Sequence, residues 1–269
     1  MTDPTTLADV TARGEEYLRI ADRLLPGWIT DFYVVGSAAL DEYRPGRSDL
    51  DFIAIVDGGL DGGGLARLRA VHLLAAADAL RRSVRRGMPN GAFVRDEDRE
   101  SPVTAIRPVA SHVAATFHRG RGFDVNPVMW KVLADRGIRI RGRAPSELGL
   151  DVEPDRLRAW NLANLESYWR PWGERVVQRG PLPLRPAWTV AWGVLGVPRL
   201  HCTIATGEVI GKRSAADYAA ATFGPEWHAI IDLARRWWEG SLTAPVTAAD
   251  ARRAGEFVLA VVASAGPTS

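Results

Sequence analysis

At 269 residues the chain is long enough to bury a sizeable core and also to divide into two domains. Its hydrophobic content of 46% and charged content of 25% are those of an ordinary globular protein, and a formal net charge of +2 is too small to argue for nucleic acid as a partner. The single cysteine, Cys202, excludes an internal disulfide and fits a reducing compartment. No apolar run reaches membrane-spanning length and the N-terminus lacks the regions of a signal peptide. The expected location is therefore cytoplasmic, with no membrane partner.

In chain order, residues 6–25 read as a helix, apolar at Leu7, Val10, Leu18, Ile20 and Leu24. The aromatic and β-branched runs 32–35 and 52–56 read as strands. A Gly-rich turn at 58–64 leads into a long helix over 65–86, apolar at Leu68, Val71, Leu74, Ala75 and Leu80. Arg81, Arg82, Arg85 and Arg86 at its end suit the helix dipole as a solvated face. Short strands follow at 92–94 and around 112–117, then a helix over 128–135 and a strand at 138–140. The linker 148–154 closes this mixed region, so the expected domains are 1–153 and 154–269. Beyond it only helices are expected, over 155–169, 188–205, 212–222, 225–238 and 247–263. Pro181, Pro183 and Pro186 break one stretch and Pro198 marks a kink. Pro225 suits a first helical turn, and Thr247 with Asp250 a capping arrangement. Eight of the ten tryptophans lie at or beyond Trp160. The expected fold is an α/β head, a mixed sheet with flanking helices, followed by an all-α C-terminal domain.

The chemistry concentrates between the first two strands. Gly36-Ser37 is a small turn that lets backbone N–H groups approach an anionic ligand. Asp49 and Asp51 are two residues apart at the second strand, which puts both carboxylates on one face. Paired acids are costly unless a cation sits between them, and oxygen-only ligands favour Mg²⁺. Gly-Ser, a gap of eleven residues and then Asp-Leu-Asp resembles the signature of the polymerase-β-type nucleotidyltransferase superfamily. The tail carries a second likeness. Arg199, the helix end Thr206-Gly207, Lys212 and then Ala215-Ala216-Asp217-Tyr218-Ala219 resemble the C-terminal domain of the adenylyltransferases that modify streptomycin and spectinomycin.

These resemblances imply a Mg²⁺-dependent enzyme that moves AMP from ATP to a hydroxyl of a small acceptor, an aminoglycoside in the antibiotic-resistance enzymes. They imply that Asp49 and Asp51 hold the metals. Gly36, Ser37 and Ser48 would bind the β- and γ-phosphates, and Arg199 and Lys212 would reach the nucleotide phosphates from the helical domain. Glu166, Trp169, Trp172 and Glu174 are the candidates for acceptor contact, since cationic rings need acids and aromatic faces. The family also keeps a third acid, a general base, on the strand after the long helix. Here that stretch is Pro89-Asn90-Gly91-Ala92-Phe93-Val94, without a carboxylate, and Ala92 is a position on it where one could be added. The nearest acids are Asp96, Glu97 and Asp98, with Asp124 further on. A non-catalytic nucleotide-binding protein is one alternative, and a protein-modifying adenylyltransferase is another. The expected partners are nucleotide and a small acceptor, on a monomer or small homo-oligomer.

Overall fold

The computed structural model describes residues 4–46, 48–81, 89–113, 116–178, 186–242 and 244–266. The positions Arg82, Arg85, Arg86, Pro181 and Pro183 named above lie outside them. The chain divides into two compact units, Met1–Val152 and Glu153–Ser269.

The first unit is built on a six-stranded sheet in the order β5-β4-β3-β2-β1-β6. Its strands are β1 (Ile29–Val34), β2 (Leu50–Val56), β3 (Pro89–Arg95), β4 (Ala110–Val113), β5 (Thr116–Arg119) and β6 (Ile138–Arg141). Its helices are α1 (Pro4–Leu24), the short α2 (Gly36–Ala39), α3 (Gly62–Arg81) and α4 (Pro127–Arg136). β2 and β3 run parallel, with α3 as the crossover that a parallel pair requires; the other neighbours are antiparallel. Alternation sorts the side chains into two faces. Phe32, Val34, Leu50, Phe52, Ala54, Val56 and Phe93 pack against Val10, Tyr17, Leu18 and Ala21 of α1 and Leu65, Leu68 and Val71 of α3. Phe32, Phe52 and Phe93 form a chain of ring contacts with Tyr17, centroids 4.8–5.6 Å apart. The opposite face carries Tyr33, Asp51, Ile53, Asn90 and Ala92. Asp51, one of the acids expected to hold a metal, lies on that face.

An ion-pair knot ties β1 to the residues after β6. Asp31 is only 2% exposed. It accepts from the backbone N–H of Arg143 (2.7 Å), its Nε (3.0 Å) and its Nη2 (2.6 Å), and that Nη2 also reaches Asp96 (2.6 Å). Burial pushes the Asp31 carboxyl up, but the hydrogen bonds from Arg143 outweigh it and bring the group down to about 2. Removing Arg143 would strand a buried carboxylate. Arg143→Ala should therefore cost about 3–5 kcal/mol in urea denaturation. The Asp31 carboxyl binds protons more weakly folded than unfolded. Its stabilisation is complete above the ordinary carboxylate range, near pH 4, and is lost as pH falls towards 2. The variant should lack that acid limb.

Among its described residues the second unit is built from helices: α5 (Pro154–Asn164), α6 (Arg170–Gln178), α7 (Ala187–Thr206), α8 (Lys212–Thr222), α9 (His228–Glu239) and α10 (Ala248–Ser264). α5 and α6 are joined without a break by a π-helical turn, Leu165–Trp169, so the helix expected to end at 169 runs on to Gln178. α7 is one element through Pro198. Glycines on α7 receive indole rings: a Cβ at Gly193 would lie 2.6 Å from Trp172, and one at Gly196 2.7 Å from Trp169. Thr247 and Asp250 close the expected capping box on α10, with Thr247 Oγ1 accepting from the Asp250 N–H at 3.1 Å.

Candidate active site

The β1–α2 turn and the start of β2 form the site by direct backbone bonding. The N–H of Val35 donates to the Asp51 carbonyl at 2.8 Å, which brings Gly36 beside the Asp51 side chain. Gly36 has φ +62°, and a Cβ there would lie 2.2 Å from Asp51 Oδ2. Only glycine fits. Both the conformation and the space demand it. Gly36 and Ser37 are half-buried, whereas Ala38 and Ala39 are buried. The two residues that open this short turn therefore sit next to a carboxylate and are only partly buried.

The returning loop is closed by Ser48. Its Oγ accepts from the Arg44 N–H at 3.0 Å, and its own N–H donates to the Arg44 carbonyl at 2.9 Å. A hydroxyl that accepts still has its proton to give, so Ser48, 8% exposed, shapes the turn without losing its donor. Asp49 lies just ahead of β2 and is exposed, and Asp51 is half-buried within the strand. Leu50 between them is buried in the core beneath the other face. Two oxygen-only carboxylates suit a Mg²⁺ ion, which takes one or two protein carboxylates and completes its shell with water and phosphate oxygens. Among the described residues no cluster of three or more His, Cys, Asp or Glu forms a closed protein cage.

The parallel register sets which residue of β3 stands beside Asp51. Asp51 pairs with Asn90, and Ile53 with Ala92. The position beside Asp51 is therefore Asn90, an amide that is 8% exposed, while Ala92 is wholly buried two residues further along. Asp96, Glu97 and Asp98 follow the far end of β3, roughly 17 Å of strand from Asn90 at about 3.3 Å per residue. They are engaged there: Asp96 with Arg143 (2.6 Å), and Asp98 and Glu97 with Arg95 (2.6 and 3.3 Å). None of the three lies at the Asp51 end. The sequence has no signal for this register, because a crossover helix, unlike a tight hairpin turn, leaves strand pairing to packing.

In the helical unit, Arg199 and Lys212 meet at one corner. Arg199 Nε donates to the Ile210 carbonyl at 2.9 Å, two residues before Lys212. Thr203 Oγ1 ties the same corner to the carbonyls of Arg199 (3.0 Å) and Glu208 (2.9 Å). Lys212 opens α8, where its charge opposes the helix dipole. Its Nζ lies 4.9 Å from the Trp238 ring centroid, a cation–π contact. The residues expected to touch an acceptor fare differently. Trp169 is 4% exposed and part of the core, and Trp172 packs on Gly193. Glu166 is held by Arg170 through both oxygens (2.6 and 2.8 Å), which keeps its carboxyl below the usual range. Glu174 lies further along, on α6. Among the described residues of this unit, Tyr168, Trp188 and Trp192 are exposed aromatics, with Trp192 Nε1 donating to the Tyr168 hydroxyl at 3.3 Å.

Residues 15–87, which span Gly36, Ser37, Asp49 and Asp51, match the family model described as nucleotidyltransferase domain. The chain is a nucleotidyltransferase. Residues 185–264, which span Arg199 and Lys212, match the model described as aminoglycoside adenylyltransferase, C-terminal domain. The protein is thus an aminoglycoside adenylyltransferase-like nucleotidyltransferase. No curated protein is matched by the sequence. Among solved structures it is similar in fold to spectinomycin adenyltransferase AAD(9) from Enterococcus faecialis, determined with ATP and spectinomycin. The TM-score is 0.65 at 15% identity, over 95% of this chain and 99% of that one.

Proposed function

We propose that the protein transfers AMP from ATP to a hydroxyl group of a small, ring-containing acceptor of the aminocyclitol class. The observation that carries this reading is the seating of the Asp51 carboxylate against Gly36, beside the N–H groups that open α2. That closeness supports reading Asp51 as an acid that would bind the metal, beside a turn that would bind phosphate. Mg²⁺ bound by Asp49 and Asp51 would neutralise charge on the triphosphate and make the α-phosphorus more open to attack. Gly36 and Ser37 would orient the β- and γ-phosphates through backbone N–H groups, and Ser48 would add its hydroxyl proton. Arg199 and Lys212 carry positive charge of the kind that binds nucleotide phosphate. Alignment of the attacking oxygen with the departing pyrophosphate is the protein's chief contribution.

The aminocyclitol class rests on the match of the C-terminal domain and on the named ligand of the structural neighbour. Tyr168, Trp188 and Trp192 offer exposed ring faces on which such an acceptor could stack. Asn90 beside Asp51 favours a second reading, a protein that binds nucleotide but transfers slowly, because an amide cannot take up a proton.

Purified protein with Mg²⁺, ATP labelled at the α-phosphate and a panel of aminocyclitols should yield labelled acceptor from at least one member. ATP binding without any labelled product would favour the second reading. Arg199→Ala and Lys212→Ala should each weaken ATP binding by about 1–3 kcal/mol in calorimetric titration, the scale of a hydrogen bond to a charged group. A lowered melting temperature with unchanged ATP affinity would leave Arg199 and Lys212 as structural residues only.

A further inference from the structure

We propose that Asp124 is the catalytic base that accepts the proton of the acceptor hydroxyl. The proposal rests on the reading of the protein as an AMP-transferring enzyme and supplies the group that β3 lacks. Asp124 belongs to the loop between β5 and α4, and that loop lies on the Asp51 face of the sheet. A Cβ on Gly122 would come within 3.4 Å of Ala92 Cβ, and Ala92 stands two residues along β3 from Asn90, the partner of Asp51. The loop is pinned on both sides of Asp124. Ser111 Oγ donates to the Arg121 carbonyl at 2.5 Å, and Asn126, which caps α4, donates to the Phe123 carbonyl at 2.7 Å.

The carboxylate itself is unusual. Asp124 Oδ2 is buried with no hydrogen-bond partner among the described residues. Such an atom is costly to leave unsatisfied, and in solution it must find water or a ligand. The acids that follow β3 are all in ion pairs with arginine, whereas burial alone acts on Asp124 and raises its carboxyl to about 6. A base of that strength holds a proton loosely near neutral pH, which suits it to this step. The acceptor oxygen forms its bond to the α-phosphorus while the bond from that phosphorus to the bridging oxygen breaks. Pyrophosphate leaves with that electron pair, and the hydroxyl proton passes to a carboxylate oxygen of Asp124 and then to solvent.

The test is Asp124→Asn, which keeps shape and removes the base, with Asp124→Glu as a second variant that keeps a carboxylate. Steady-state AMP transfer, Mg·ATP affinity and thermal melting are measured on the full chain. kcat should fall about 10²–10⁴-fold in the Asn variant, with ATP affinity and melting temperature held and with part of the activity kept by the Glu variant. The wild-type rate should also decline on the acid side with a midpoint near 6, a limb absent from the Asn variant. An active wild type whose Asn variant keeps kcat within about threefold would overturn the proposal and leave the transfer reading standing. So would a drop in melting temperature with kcat unchanged, which would make Asp124 a structural residue. A wild type that binds ATP but transfers to no acceptor would sink both.

Discussion

Asp51→Asn should abolish AMP transfer, lowering kcat by at least about 10²–10³-fold, while the protein keeps its melting temperature. The amide has the carboxylate's shape and the position is half-buried, so packing is little changed. What is lost is the negative charge beside Gly36, and with it the Mg²⁺ dependence of ATP binding. The check is a pair of titrations with and without Mg²⁺ beside the transfer assay. An Asn variant with wild-type Mg·ATP affinity would remove Asp51 from the metal site.

Gly36→Ala should damage fold and activity together. The left-handed backbone at φ +62° costs a residue with a Cβ about 1–2 kcal/mol. The new methyl would also stand 2.2 Å from Asp51 Oδ2 and 2.9 Å from its Cβ, so the acid has to move. Overpacking of that kind adds about 1–3 kcal/mol. Urea denaturation should register roughly 2–5 kcal/mol in total, and transfer should fall as far as in Asp51→Asn. A variant with normal stability and normal transfer would contradict the close packing of Gly36 on Asp51.

The same pair explains why this part of the protein was legible in sequence. Gly36-Ser37 and Asp49-x-Asp51 are local features between two β-branched runs, and strand alternation alone predicts which way each side chain faces. Helix positions in the tail were legible for a similar reason, through proline, glycine and capping residues such as Thr247. What depends on contacts distant in sequence was not. Asn90 stands beside Asp51 because β2 and β3 pair in one register across a twenty-residue crossover helix, and no local rule fixes that register. Trp169 and Trp172 read as a ligand surface, yet the π-turn at Leu165–Trp169 adds a residue to the helical repeat and shifts the phase of all that follows. Both rings then fall on the Gly193 and Gly196 notches of α7. Only packing shows that. Asp124 could be named from sequence, but its burial could not.

The most direct measurement is a crystal structure with a non-hydrolysable ATP analogue and Mn²⁺ in place of Mg²⁺, read by anomalous scattering. A Mn²⁺ peak is expected within bonding distance of Asp49 and Asp51, with a triphosphate on the N–H groups of Gly36 and Ser37. A nucleotide bound elsewhere, or bound at the turn with no metal at the two aspartates, would contradict that placement.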